Sequence, residues 1–229
     1  MAPSTWSEPP SQTAFPVAKA GYPFIFAFAF ATAVFALLGV ASLALLGLAV
    51  TVFTCCFFRD PDRLVPTGDG IIVSPADGKV IKVEAVSQTP YFDGACTRIS
   101  VFMSIFNVHV NRAPHEGTIR RVAYTPGKFF SANLDKASSD NEHNALLLEG
   151  PDGRSVGFVQ IAGLVARRII CAVQAGDTLR RGQRFGMICF GSRLDVYLPR
   201  DSEIRVAVGD KVQAGSSVLA QWPSAQGSP

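Results

Sequence analysis

The chain reads as mainly β, a β-rich sandwich or barrel-like domain preceded by an N-terminal transmembrane helical hairpin. Three observations predict this. No charged residue occurs from Gly21 to Phe58. From Arg59 onward, short runs of branched and aromatic residues are divided by Gly, Pro and Asp, the pattern of strands and tight turns. Finally, Ala175-Gly-Asp-Thr-Leu-Arg-Arg-Gly182 and Val208-Gly-Asp-Lys-Val-Gln-Ala-Gly215 repeat a Gly-Asp turn closed by a second glycine.

Residues 1–20 carry proline and serine and read as a flexible tail; 21–58 form the membrane segment. A single helix over 21–58 would run roughly 55 Å against a hydrocarbon core of about 30 Å, so two short spans fit better than one. The natural break lies near Gly39, Ala41 and Ser42, and a single tilted or kinked span is the alternative. Lys19 on one side and Arg59 and Arg63 on the other favour both ends in the cytoplasm. A cleaved signal peptide fits less well, because its apolar core is far shorter than this stretch.

Beyond the hairpin, 59–229 reads as one domain, since about 170 residues of this kind build one substantial β core. Its strand candidates are Ile71 to Val73, Val80 to Val86, Thr97 to Phe102, Gly117 to Val122, Ala145 to Leu148 and Val156 to Ala162. Ile169 to Val173, Phe185 to Phe190, Leu194 to Leu198, Glu203 to Val206 and Val218 to Ala220 complete the series. The repeated Gly-Asp turns are lipoyl-like: such turns occur in lipoyl- and biotinyl-type sandwich domains, where they need positive φ. No lysine sits at a turn in the Met-Lys context that lipoylation or biotinylation uses. A membrane-tethered adaptor module without catalysis is nevertheless one reading of this pattern.

Composition narrows the classes further. Cys55, Cys56, Cys96, Cys171 and Cys189 show neither metal-like spacing nor even pairing, which suits reduced thiols in a cytosol-facing protein; no metal site is expected. A net charge of +3 is modest, and no nucleic-acid partner is expected. Arg167-Arg168 and Arg180-Arg181 with Arg184 suit an anionic lipid surface or solvated turns equally.

The pair Gly191-Ser192 stands between two strand candidates in Phe185-Gly-Met-Ile-Cys-Phe-Gly-Ser-Arg-Leu-Asp-Val-Tyr-Leu-Pro199. A serine just after a glycine at a tight turn can attack its own backbone, because glycine lets its carbonyl be approached closely. Around it stand Phe57-Phe-Arg-Asp-Pro-Asp-Arg63, Ser74-Pro-Ala-Asp-Gly-Lys-Val80, Asn107-Val-His-Val-Asn-Arg-Ala-Pro114 and Asn141-Glu-His-Asn144. In this order the motifs resemble the phosphatidylserine decarboxylases of the short bacterial type, pyruvoyl enzymes that cleave themselves at a Gly-Ser bond. The resemblance covers nearly everything from Gly21 to Trp222. Many members carry Leu-Gly-Ser-Thr where this chain has Phe190-Gly-Ser-Arg193.

The resemblance implies a reaction and a set of roles. Cleavage between Gly191 and Ser192 would leave a β chain, 1–191, and an α chain, 192–229, paired as a heterodimer, with room for a higher homo-oligomer. Ser192 would become a covalent pyruvoyl group, the Schiff-base carbonyl that takes the substrate amine and acts as electron sink when carbon dioxide leaves. His109 matches the family's catalytic histidine, and Asp77 the acid that orients it; with Ser192 they make a Ser/His/Asp set. Substrate and product would be phosphatidylserine and phosphatidylethanolamine, at a bacterial inner membrane.

Longer members carry a second histidine where this chain has Phe106, so no role passes to that position. His143 stands where relatives often have arginine, and His115 is expected in a surface turn. Arg112, Lys128 and Arg193 are candidate phosphate contacts. A membrane-bound serine hydrolase would use the same three residues but keep an intact chain, and no Gly-x-Ser-x-Gly elbow is present.

Overall fold

A computed structural model describes residues 17–130, 140–164, 168–189 and 191–223. Residues 1–16 of the expected tail, Arg167 of the basic pair and Phe190 before the Gly-Ser bond lie outside the described residues. The chain divides into two compact units between Asp62 and Arg63.

The first unit is a helical hairpin. α1 (Tyr22–Leu37) and α2 (Ala41–Phe57) are joined by a reversal in which Gly39 takes φ +74°, a conformation that costs glycine little. The helices lie close: a Cβ on Gly47 of α2 would fall 2.6 Å from Thr32 Oγ1 of α1. At the open end the Ala18 N–H donates to the Phe58 carbonyl at 2.8 Å, and Val17 bridges Arg59. Residues 17–20 are therefore tied down rather than tail-like, because backbone pairing holds them to the end of α2. The stretch Lys19–Leu37, 19 residues, is long and apolar enough to cross a bilayer; Ala41–Phe57 is shorter.

The second unit is built of strands. In chain order these are β1 (Ile71–Val73), β2 (Gly78–Val86), β3 (Cys96–Met103), β4 (Val110–Arg112), β5 (Gly117–Thr125), β6 (His143–Glu149) and β7 (Ser155–Ile161). They continue with β8 (Ile169–Cys171), β9 (Thr178–Leu179), β10 (Arg184–Ile188), β11 (Ser192–Pro199), β12 (Glu203–Ile204), β13 (Lys211–Val212) and β14 (Val218–Gln221). One curled eight-stranded sheet, half a barrel, runs β13-β2-β3-β11-β7-β6-β5-β9, and the three-stranded sheets β4-β10-β8 and β1-β14-β12 accompany it. Each long strand falls on a run of branched and aromatic residues. The short β4, β9 and β13 had no such signal.

The large sheet is two copies of one four-stranded unit, β13-β2-β3-β11 and β9-β5-β6-β7, joined where β11 pairs with β7. The repeated Gly-Asp turns supply its two edge strands, and they match bond for bond. Gly176 N–H donates to Ile119 O, and Gly209 N–H to Val80 O, both at 2.8 Å. Asp177 and Asp210 each accept at Oδ2 from the backbone N–H three residues earlier, at 2.9 and 2.8 Å. Gly176 and Gly209 take φ +96° and +107°, and Gly182 and Gly215 take +74° and +75°. β2 and β5 carry register shifts at corresponding places, after Val80 and after Ile119.

The correspondence extends to Ser74-Pro-Ala-Asp-Gly78 and Ala113-Pro-His-Glu-Gly117. A Cβ on Gly78 would fall 2.1 Å from the Phe102 carbonyl oxygen, and one on Gly117 2.2 Å from that of Glu149. By register, Leu194 faces Val101 as Val156 faces Leu148. Gly191-Ser192 thus corresponds to Gly153-Arg154, and both glycines have positive φ, +62° and +79°.

β11 lies at the middle of this sheet and is buried on both faces. Leu194, Val196 and Leu198 point into the main core with Ile99, Val101 and Phe158, and Phe158 meets Phe185 of β10 edge to face at 5.0 Å. On the other face, Tyr197, Val159 and Ile161 pack with Phe92 and Cys96. Period-two alternation alone dictates this division.

Candidate active site

Ser192 is the first residue of the central strand, opposite Met103 of β3. It is wholly buried, and among the described residues its Oγ has no hydrogen-bond partner. Such a buried hydroxyl is costly unless something uses it. Among the described residues a Cβ on Gly191 would meet nothing within 4 Å, so glycine is needed there for its positive φ rather than for a close approach. Burial pushes the thiol of Cys189, two residues earlier, above its ordinary value; it stays protonated and is a poor rival nucleophile.

His109 is wholly buried just ahead of β4. Its carbonyl accepts from the Ile188 N–H at 3.3 Å, and Val110 stands opposite Met187. The histidine therefore runs beside the strand that leads into Gly191. Two residues on, a chain of buried amides begins. Asn144 Nδ2 donates to Gln160 Oε1 at 3.1 Å, and Gln160 Nε2 donates to Asn111 Oδ1 at 2.9 Å. Asn111 Nδ2 is left against Met103 Sδ at 3.8 Å, a weak acceptor on the residue that faces Ser192.

Asp77 ends the turn before β2, where the chain presses against Phe102, one residue from Met103. Its Oδ2 accepts from Arg63 Nη2 at 2.7 Å and its Oδ1 from the Ala214 N–H at 2.8 Å. Ser192, His109 and Asp77 thus come to one end of the sheet. The hydrogen bonds of Asp77 run to Arg63 and Ala214 rather than to the imidazole.

The three candidate phosphate contacts are placed differently. Arg112 is buried, and its Nη1 donates to Gly182 O at 3.1 Å. Arg193, 1% exposed, is paired with the fully buried Asp195: Nε lies 2.9 Å from Oδ1, and Nη2 donates to Oδ2 at 3.1 Å. Lys128 alone is exposed, with its ammonium 5.8 Å from the Phe130 ring centroid.

His143 is buried between the Asn141 carbonyl, 2.7 Å from Nδ1, and the Tyr91 hydroxyl, 3.0 Å from Nε2. A carbonyl only accepts, so Nδ1 carries a proton. Asn141 spans the loop, donating from Nδ2 to Phe130 O and Ala162 O, both at 2.7 Å. His115 is not in a surface turn: it is buried against Trp222, ring centroids 4.5 Å apart. An aromatic partner 107 positions away covers it, which local sequence does not reveal.

Sequence reasoning passed over Arg63, Asn111, Gln160, Asn144 and Asp195. One signal existed: Gln160 and Asp195 are polar residues inside apolar strand runs, where an inward polar side chain must find a partner. Comparison with known proteins is in accord. Residues 50–220 match the family model described as phosphatidylserine decarboxylase. The phosphatidylserine decarboxylase proenzyme of Syntrophus aciditrophicus is 51% identical over 208 residues, 90% of this chain and 97% of that one. That of Solidesulfovibrio magneticus is 53% identical over 205 residues, covering 90% and 95%. That of Ruegeria pomeroyi is 57% identical over 178 residues, covering 76% and 81%. With this agreement across most of its length, the chain belongs to the phosphatidylserine decarboxylase family.

Proposed function

We propose that the chain decarboxylates phosphatidylserine to phosphatidylethanolamine at a membrane, using a pyruvoyl group made from its own Ser192 after self-cleavage at Gly191–Ser192. The observation that carries this is the buried Ser192 hydroxyl, with no hydrogen-bond partner among the described residues, directly after a glycine at φ +62°. The site fits a group made from the chain itself: the nucleophile and its target carbonyl lie on adjacent residues, and among the described residues nothing stands within 4 Å of a Cβ at Gly191.

In maturation Ser192 Oγ forms a bond to the Gly191 carbonyl carbon while the Gly191–Ser192 peptide C–N bond breaks. The hydroxyl proton passes to His109 and on to the freed amine. Loss of the Ser192 α-proton then expels residue 191 as a carboxylate. Water replaces the resulting dehydroalanine nitrogen, releasing ammonia. The group so formed supplies a carbonyl that, conjugated to the substrate nitrogen, takes up the electron pair left by carbon dioxide.

His109 is our candidate for both proton transfers, in maturation and in returning a proton to the product. Asp77, held by Arg63 and the Ala214 N–H, is our candidate for the acid that positions His109. Asn111, oriented by Gln160, offers a donor from the far side of Met103. Lys128 remains our candidate phosphate contact; Arg112 is committed to the Gly182 carbonyl and Arg193 to Asp195 within β11. The uncharged hairpin supports an inner-membrane anchor with both ends cytoplasmic, and the two cleaved chains would remain together as a heterodimer.

Intact-mass spectrometry of purified protein tests the reading. We expect chains 1–191 and 192–229, the latter blocked at its N-terminus, and from Ser192→Ala a whole, inactive protein. A fully active, uncleaved chain would overturn it.

A further inference from the structure

We infer that the Ser192 end of the large sheet is a docking surface for an anionic lipid bilayer, formed by apolar loop tips among unpaired cations. The inference rests on the active-site reading for its purpose, but on separate observations for its content. Register places three connections at one end. β3 stops at Met103 opposite Ser192, β7 stops at Ile161 opposite Arg193, and β6 starts at His143 opposite both Ile161 and the last residue of β5. The turn after β3, residues 162–164 after β7, and residues 126–130 and 140–142 between β5 and β6 therefore stand around the start of β11.

These connections carry exposed apolar side chains. Ile105 and Phe106 follow β3, Phe130 follows β5, and Leu164, 63% exposed, follows β7. At the opposite end, the connections 87–95, 150–154 and 200–202 bear no exposed large apolar residue. A soluble surface has no reason to concentrate such residues at one end, and an interface with lipid has one.

Charge leans the same way without dividing cleanly. Toward the opposite end Arg98 is matched with Glu84, Arg120 with Glu149, and Arg154 with Asp152 and Asp201, while Arg121, bonded to the Pro90 carbonyl, and Arg200 are exposed with no ion pair among the described residues. At the Ser192 end Lys79, Lys128, Arg168 and Lys211 are exposed and form no ion pair among the described residues. Two exposed acids share that end, Asp140 and Asp210, and the Asp210 carboxylate is turned back on the Ala207 N–H at 2.8 Å. Unpaired cations beside apolar tips match anionic headgroups above acyl chains. The surface so defined surrounds the residue at which a lipid headgroup would react.

The test uses the full chain reconstituted in vesicles of acyl-brominated phosphatidylcholine, with and without phosphatidylglycerol, an anionic lipid that is not the substrate. Tryptophan is introduced by Ile105→Trp, by Leu164→Trp and, at the opposite end, by Asp93→Trp, each read as the difference from the parent protein. Bromine should quench the first two about twofold or more and the third hardly at all; the quenching should deepen with phosphatidylglycerol and weaken with salt. Equal quenching at all three positions, or none, overturns the inference.

Kinetics give a second measurement. The double variant Ile105→Ser, Leu164→Ser should raise KM for bilayer phosphatidylserine by on the order of tenfold, with kcat and turnover of a detergent-dispersed short-chain substrate little changed. An unchanged KM on bilayers counts against docking. If that variant fails to fold, the tryptophan variants, which keep an apolar side chain at each tip, still decide. Quenching without decarboxylation would sink the enzymatic reading and leave the surface; decarboxylation without quenching would do the reverse.

Discussion

The Asp77 corner and the Glu116 corner are the same piece of backbone used twice. Each follows a proline by two residues and precedes a glycine pressed against a neighbouring carbonyl. Each carboxylate is held by an arginine, Asp77 by Arg63 and Glu116 by Arg181 through two bonds of 2.8 and 2.7 Å. Each corner belongs to a half-sheet with a positive-φ glycine before its inner strand, Gly191 or Gly153. Only one is followed by serine. In that half a long connection leaves β3 and brings in His109 and Asn111; in the other, β6 turns tightly through Gly150 and Gly153 into Arg154. A carboxylate, an arginine and a positive-φ glycine are thus features of the fold. The proposed chemistry is added by the serine and by the inserted connection.

The correspondence can be broken most severely at its glycines. Gly78→Ala and Gly117→Ala should each cost about 3 kcal/mol or more, because the new Cβ meets immovable backbone. Denaturant unfolding measures both; a Gly117→Ala protein as stable as its parent would show that the halves are not equivalent.

The arginines sharpen the difference in chemistry. Arg63→Ala should slow self-cleavage about 10- to 100-fold, with partial rescue by Arg63→Lys, since Asp77 loses the group that fixes its carboxylate. Arg181→Ala should leave the cleavage rate within about threefold while lowering stability by about 1 kcal/mol. Timed electrophoresis of freshly synthesised protein reads the first, and thermal unfolding the second. Equal slowing by both variants would mean that the Glu116 corner also serves the reaction.

The smallest effect is one of pH. Burial holds the His115 imidazole below its ordinary value of 6.5, against the opposing pull of the Glu116 backbone bond. As pH falls, the unfolded chain therefore takes the proton first. The contribution of His115 to stability is full above the ordinary value and is lost as pH drops through the lower, folded one. Melting temperatures between about pH 7 and 5 should fall less steeply in His115→Asn than in the parent. An unchanged slope would place the acid sensitivity elsewhere.

The reach of the sequence follows the range of the interactions. The reversal at Gly39, the long strands and the two Gly-Asp turns are encoded within a few residues each, and all stand where composition put them. The pairing of Asp77 with Arg63 was not legible, although both lie in motifs that were noticed, because nothing local says which cation a carboxylate will meet. The chain Asn144–Gln160–Asn111 joins three distant segments, so its members read only as polar interruptions. β9 and β13 are two residues long and exist through their partners, Gly117 and Thr118 for β9, Lys79 and Gly78 for β13. His115 was misplaced for the same reason: its cover, Trp222, arrives from the far end of the chain.

The path of the segment after residue 191 has one more consequence. It supplies β11 in the middle of the large sheet, β13 at its edge, and both β12 and β14 of a separate sheet that also holds β1. With the bond at Gly191 open, as proposed, this segment is woven into the domain at three places yet covalently joined to none. Before scission, refolding is a unimolecular search; afterwards it is an encounter between two molecules, one of which has no core of its own. The cleaved protein should hold together as long as it stays folded and, once melted, fail to return on dilution. Maturation would then fix the fold as a history that the finished protein can keep but cannot repeat.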